Sequence, residues 1–481
     1  MPRSQQRKAL FLLTGVWLAW MVWFLVLGRS EAAVQIVDDT GDPIAGAEVL
    51  VGDEVVGVTD SSGAVDVSWT GGSPNFDVTA DGFRPTWFRP RSPATVVELE
   101  PFVLSGIVLD PDDRPVAGVM VRSGSALAES GPGGRFTVRG GQPGRVVAWM
   151  PAWEEGAWDW DGSPGAIEIE LRPFIVKAMH IGGEAAGDPV RWAELLQTHR
   201  SSELNAIMLD LKDEAGLVFY ETEVELARQT GAVSPEYDLI DLARAIHAED
   251  LYLIGRIVAF QDPVTATGRP DLAVTVNGVV YSKRGQSFLD PTDQEARRYA
   301  LDLAVEACRS GVDEIQFDYI RFPDGFPPEA VFDGPSDQEG RIETIRSFLA
   351  EARSLLRPLG CAVAADVFGF TTSAADDGGI GQKWDVVAAE LDVISPMLYP
   401  SHYGPGWYSY EDPAAYPAEV VERALEDGLA RLESSTVVRP WLQDFAYDAT
   451  QVRGQIDVAE RFGLGWMLWN AASNVTEEAL R

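Results

Sequence analysis

The chain has 481 residues, 46% of them hydrophobic, which is enough for two or three packed domains and excludes wholesale disorder. A formal net charge of -36 excludes the basic face that a nucleic-acid partner requires. The only two cysteines, Cys308 and Cys361, are too few for a disulfide framework and lack metal-ligand spacing, so they read as free, buried thiols.

Arg3, Arg7 and Lys8 precede an uncharged apolar run from Ala9 to Gly28. Its length suits a bilayer-crossing helix better than a signal-peptide core. Basic residues before it and Glu31, Asp38 and Asp39 after it place the N-terminus inside. Residues 1–33 therefore read as a membrane anchor, or as a cleaved signal if the small residues around Glu31-Ala32-Ala33 are cut. Either way the rest lies outside the cytoplasm: single-pass in the cell membrane, or secreted.

From Val34 to Arg172 short alternating strands and Gly, Pro, Asp and Ser turns predict all-β structure. VDDTGDPIAGAEVLVG (37–52) is echoed by LDPDDRPVAGVMVRSG (109–124), and each is followed by a turn and a strand. Two small sandwich modules, 34–101 and 102–172, follow from that repeat. Trp149, Trp153, Trp158 and Trp160 in the second copy suit a sugar-stacking platform, although such a cluster more often packs against a neighbour. Neither copy carries a catalytic constellation, so both read as spacers.

From residue 173 to 481 strand-like runs alternate with helical patterns. The runs are 174–182, 206–213, 252–260, 313–323, 362–370, 392–400, 437–445 and 463–471. Seven amphipathic helices between them complete the count of a (β/α)8 TIM barrel, giving a multidomain chain of anchor, two sandwiches and barrel. A doubly wound sheet is the alternative, but no G-x-G-x-x-G follows any strand.

Polar residues gather where these runs end: His180; Asp210, Lys212 and Asp213; Arg256; Gln316, Asp318 and Arg321; Asp366; Tyr399 and His402; Trp441, Gln443 and Asp444; Trp469 and Asn470. Core packing gives no reason for that bias, whereas a catalytic mouth does. The stretch DEIQFDYIRFP (313–323) is central, because Gln316 and Asp318 leave one strand on one face.

LDLKD (209–213), GRIVAFQDP (255–263), DEIQFDYIRFP, ADVFG (365–369), ISPMLYPSHY (394–403), RPWLQDF (439–445) and GWMLWNA (465–471) follow one another in the order of a known family. The region from Phe174 to Thr476 resembles the family described as putative glycosyl hydrolases, whose barrels are likened to the alpha-amylase superfamily. That resemblance implies an enzyme cleaving glycosidic bonds in a polysaccharide, with cell-wall or capsular material suggested by the extracytoplasmic address.

Glycoside cleavage needs two carboxyl groups. Asp318 is expected as nucleophile or base, held ionised by Arg321 or another nearby cation. Asp366, in an apolar run, is expected as the acid, its pKa raised by burial. Related enzymes commonly use Glu as the acid, and no Glu is seen at a strand end, so Asp210 or Asp213 is the alternative second carboxyl. Tyr319, Tyr399, Trp441 and Trp469 are candidates to stack on sugar. Lys212, Arg256, Gln316, Arg321, His402, Gln443 and Asn470 are candidates to bond hydroxyls or steer the carboxylates. No cofactor and no metal are expected. Two rival readings remain: a glycan-binding barrel without catalysis, and a metal-dependent hydrolase or deacetylase using Asp210, Asp213, Asp318 and His180 or His402. Four histidines with no paired spacing speak against a zinc site.

Overall fold

The computed structural model describes residues 29–91 and 94–480. The apolar stretch expected to anchor the chain lies outside the described residues. Among those described, no helix is long and apolar enough to cross a membrane. The chain divides into two compact units, Met1–Met150 with Glu154–Arg172, and Pro151–Trp153 with Pro173–Arg481.

The first unit contains the sequence repeat, and both copies have the same strand topology. In the first, Arg29–Asp38 pairs antiparallel with Ala64–Thr70 and parallel with Ala94–Leu99. In the second, Val103–Leu109 pairs antiparallel with Arg135–Arg139 and parallel with Ala166–Glu170. A four-stranded sheet accompanies each three-stranded one. In the first copy Val34 and Ile36 of one sheet share a core with Val49, Phe76 and Val78 of the other.

The repeated motif has a physical basis. Asp38 Oδ1 accepts from the Thr40 and Asp42 N–H groups, and Asp110 Oδ1 accepts from those of Asp112 and Arg114. A buried hydroxyl then ties the next turn: Thr59 donates to the Ile44 carbonyl, and Ser130 donates to that of Val116. The first strand begins at Arg29 rather than near Val34, because Ala32 and Val34 already point into the core. Trp153 and Trp160 are buried, so the four tryptophans form no open platform.

The second unit is a closed barrel of eight parallel strand positions. They are β1 (Lys177–Ile181), β2 (Ala206–Lys212), β3 (Tyr252–Val258), β4 (Glu314–Asp318), β5 (Ala362–Phe368), β6 (Val393–Leu398), β7 (Val437–Val438 and Trp441–Gln443) and β8 (Trp466–Trp469). β7 is interrupted at Arg439-Pro440, where proline has no N–H to give the ladder. β8 pairs with β1 and β5 with β6, so the sheet has no free edge.

The outer ring includes α1 (Pro189–Arg200), α2 (Leu239–His247), α3 (Gln294–Arg309), α4 (Gln338–Leu356), α5 (Trp384–Ala388), α6 (Pro417–Ala430) and α7 (Ala449–Arg461). Aspartates 188, 238, 293, 337 and 448 cap five of them by accepting from first-turn N–H groups. Each cap contributes about 1 kcal/mol. Asp448 and Gln451 form a reciprocal capping box at the start of α7.

Strand alternation divides the barrel residues between two cores. Ile207, Leu209, Ile315, Phe317, Val363 and Ala365 face the helices, whereas Ala178, Met208, Ile254, Trp441 and Met467 fill the interior. The interior is layered. Arg439 and Glu314 pair at 2.7 Å near the amino end, and the carboxyl ends carry the polar cluster described below.

The cysteines correct the sequence reading. Cys308 near the end of α3 and Cys361 just before β5 are joined by a disulfide, with 5.9 Å between their Cα atoms. Helix end and strand start meet because α3 and β5 both flank β4, a proximity that no local pattern reveals. Closing a loop of 53 residues contributes about 4 kcal/mol in the chain-entropy account. Thiol titration of the denatured, unreduced protein should therefore find no free sulfhydryl, and Cys308→Ser should lower the unfolding free energy by about 2–4 kcal/mol. Two titratable thiols would contradict the bond.

Candidate active site

The carboxyl ends of the strands surround a cavity of about 600 Å³. Glu214, Arg256, Asp318, Tyr319, Arg321 and Asp366 line it, together with an aromatic wall of Phe368, Phe370, Tyr399, Tyr403, Trp407, Trp441 and Trp469. His402 and Met397 complete one side.

Arg256 is the hub. Residue 256 lies opposite Asp210 on β2 and Gln316 on β4 in the register. Its Nη1 donates to Asp210 Oδ1 at 2.8 Å, while Nε and Nη2 donate to Asp318 Oδ2 at 3.0 and 2.6 Å. Glu214 sits farther out, at 3.4 Å. The guanidinium also packs 4.9 Å from the Trp469 ring centre. Arg256 is 1% exposed, so these carboxylates replace its water.

Beneath it, Asp210 Oδ2 is 2.9 Å from His180 Nε2, and Nδ1 of that ring is 3.0 Å from the Asn470 carbonyl oxygen. Both ring nitrogens thus face oxygen atoms. Burial alone would push the Asp210 carboxyl up, but the charges of His180 and Arg256 outweigh it and hold it down to about 2.

Asp318 is fixed from its other side as well. Its Oδ1 accepts from the Tyr319 N–H at 2.6 Å. That contact goes with φ of 49° at Tyr319, left-handed backbone that a bulky residue adopts only under constraint.

Asp366 lives in a different environment. Its Oδ1 accepts from the Gln316 side-chain amide and from Trp441 Nε1, the latter at 2.6 Å. Both donors are neutral. Burial first, and then the nearby Asp318 charge, push the Asp366 carboxyl well above the usual range. One carboxyl at the mouth is thus paired with a cation, while its neighbour is favoured as the neutral acid.

Several expected residues serve elsewhere. Arg321 lines the cavity but does not hold Asp318; it donates to the Phe322 carbonyl at 3.2 Å, and Arg256 takes the role foreseen for it. Asp213 does not line the cavity, because its carboxylate accepts from Ala215 and Leu217 N–H groups in the turn after β2. A register shift between Asp210 and Lys212 accompanies the burial of Lys212, whose Nζ pairs with Asp262 at 3.0 Å. Gln316 supports Asp366; Gln443 accepts from Ser401 N–H and donates to the Phe445 carbonyl; Asn470 donates to the Asp444 carbonyl. Lys212, Gln316, Gln443 and Asn470 therefore support the mouth rather than line it. Tyr319, Tyr399, His402, Trp441 and Trp469 do line it.

Two sets of residues escaped the sequence reading. Glu214 lies just beyond β2, so a glutamate does stand at a strand end, contrary to expectation. Phe368 ends β5, and Phe370, Tyr403 and Trp407 follow β5 and β6; their aromatic spacing in FGF and HYGPGW was the available signal. Among the described residues no group of three or more His, Cys, Asp or Glu is placed to hold one metal ion. Asp210 and His180 engage each other, and Asp213 closes a turn.

Because Arg256 neutralises two buried carboxylates, Arg256→Met should cost about 3–5 kcal/mol of unfolding free energy at pH 7. Urea unfolding measures it. A loss below about 1 kcal/mol, the range of an exposed pair, would contradict the hub assignment.

Comparison with known proteins gives the following. A hypothetical protein from Ruminiclostridium thermocellum is 34% identical over 39% of this chain and 97% of its own, at a TM-score of 0.36. The PgaB (BpsB) glycoside hydrolase domain from Bordetella bronchiseptica is 14% identical over 62% of this chain and 95% of its own, at 0.47. An alpha-galactosidase from Thermus thermophilus is 14% identical over 90% of each chain, at 0.41. No curated protein matches. The family model described as "putative glycosyl hydrolase domain" matches residues 178–475, more than half of the chain and nearly the whole barrel, and the protein belongs to that family.

Proposed function

We propose that the barrel hydrolyses glycosidic bonds of a polysaccharide by a two-carboxylate mechanism, with Asp366 as general acid and Asp318 as nucleophile or base. The observation that carries this reading is the split between the two carboxyls. Asp318 is bound by the Arg256 guanidinium, whereas Asp366 is buried among neutral donors and raised well above the usual range. A proton donor and an ionised partner lining one aromatic-walled cavity are what protonating a leaving oxygen and stabilising an oxocarbenium-like centre require. The indole and phenol faces suit stacking on sugar rings.

The reading extends to location. An apolar N-terminal stretch and a disulfide both suit a barrel outside the cytoplasm, with envelope polysaccharide within reach. Retention of the anchor is favoured over cleavage near Ala33. The strand Arg29–Asp38 pairs through Arg29 with Thr70, and a cut there would remove half of it.

The polypeptide from Arg29 onward, incubated with wall, capsular and storage polysaccharides, should release reducing ends. Asp318→Asn and Asp366→Asn should each lower turnover by about 10²–10⁴-fold with binding retained. The sign of the pH effect follows from Asp366 acting in its protonated form. Activity should fall as pH rises through its raised pKa, and Asp366→Asn should abolish that alkaline limb. Glycan retention with no turnover, unchanged in both variants, would make the barrel a binding module instead.

A further inference from the structure

Among the described residues the barrel buries four cationic side chains: Lys212, Arg256, Arg321 and Arg439. Three of them touch a buried carboxylate, Lys212 with Asp262 at 3.0 Å, Arg256 with Asp318 at 2.6 Å and Arg439 with Glu314 at 2.7 Å. Arg321 is the exception. The carboxylate paired with it, Asp324, is 3.6 Å away, has a side chain 57% exposed, and pairs more closely with Lys283 at 3.0 Å. The single protein hydrogen bond of the Arg321 guanidinium among the described residues goes to the Phe322 carbonyl.

The guanidinium is held by aromatic rings instead. Its centre lies 5.2, 4.8 and 5.0 Å from the rings of Phe288, Tyr319 and Phe368. Such contacts fix a planar cation in place but leave its N–H donors unused. Burial without a close counter-ion also pulls its pKa down, the direction expected for an under-compensated charge. Arg321 lines the same cavity as Asp318 and Asp366. Donors that open onto the cavity can be met there by water or by a ligand, and among ligands an oxyanion matches the guanidinium fork. Arg256 cannot substitute, since its donors are taken by Asp210 and Asp318.

We propose that Arg321 forms an oxyanion-recognising subsite, so that the glycan taken by this cavity carries a carboxylate or phosphate group on a sugar bound there. The proposal rests on the glycan-binding part of the proposed function. Its test reads equilibrium binding and needs no bond cleavage, so a failure of the hydrolase mechanism leaves the outcome readable.

The test is tryptophan fluorescence titration of the protein with D-glucuronate, D-glucose 6-phosphate and D-glucose. Salt near 0.15 M screens the overall negative charge beyond about 8 Å. At least one anion should bind about tenfold or more tighter than glucose, and which one does so distinguishes carboxylate from phosphate. Arg321→Met should remove that preference, while Arg321→Lys, which keeps the charge but not the fork, should retain part of it. If Arg321→Met fails to fold, the wild-type preference and the Arg321→Lys titration decide. Equal binding of all three sugars, binding of none, or an unchanged preference in the folded variants would overturn the proposal.

Discussion

The mouth of this barrel depends on one buried guanidinium. Arg256 is removed from water, and an unpaired charge there would oppose folding by several kcal/mol. The chain answers with Asp210 and Asp318 on the two neighbouring strands, and His180 hydrogen-bonds Asp210 from behind. Arg256 also draws the Asp366 carboxyl down, but by less than burial and the Asp318 charge push it up. Its two donors are an amide and an indole, neither of which repays the cost of an ionised carboxylate as a cation would. The asymmetry between two neighbouring aspartates is therefore a consequence of where the arginine stands.

The opposite end of the interior offers a control within the same molecule. Glu314 and Arg439 are both fully buried, and they meet in a paired, two-pronged contact with Tyr252 adding a hydrogen bond. That pair joins two opposite charges directly, and neither partner lines the cavity at the carboxyl ends. Burial of charge alone thus does not mark function in this fold. The proposed site adds to it a cavity, a divided cation and a carboxyl left with neutral donors.

The barrel was legible because near-continuous apolar runs such as AIMLDLKD and AVAADVFGF are separated by helical stretches at regular intervals. The gathering of polar residues at the ends of those runs also pointed to Asp210, Asp318 and Asp366. What it could not supply is the register between strands. Arg256 reaches Asp318 across a ladder, whereas Arg321, three residues along the chain from Asp318, turns among aromatic rings. The shift after Asp210 buries Lys212 and leaves Glu214 at the mouth, which period-two reasoning does not foresee. The Cys308–Cys361 bond likewise depends on the meeting of two elements 53 residues apart. The start of α7, by contrast, was written in Asp448 and Gln451.

The central claim is that two aspartates of one cavity hold different protonation states at neutral pH. Carboxyl carbon NMR of aspartate-labelled protein, titrated from pH 3 to 9 and assigned with Asp318→Asn and Asp366→Asn, tests it most directly. The account predicts that the Asp366 signal keeps its protonated position well past the usual carboxylate range, and that replacing Asp318 lowers the pH at which it moves. If Asp366 instead ionises near pH 4 and ignores the loss of Asp318, the division of charge described here is wrong.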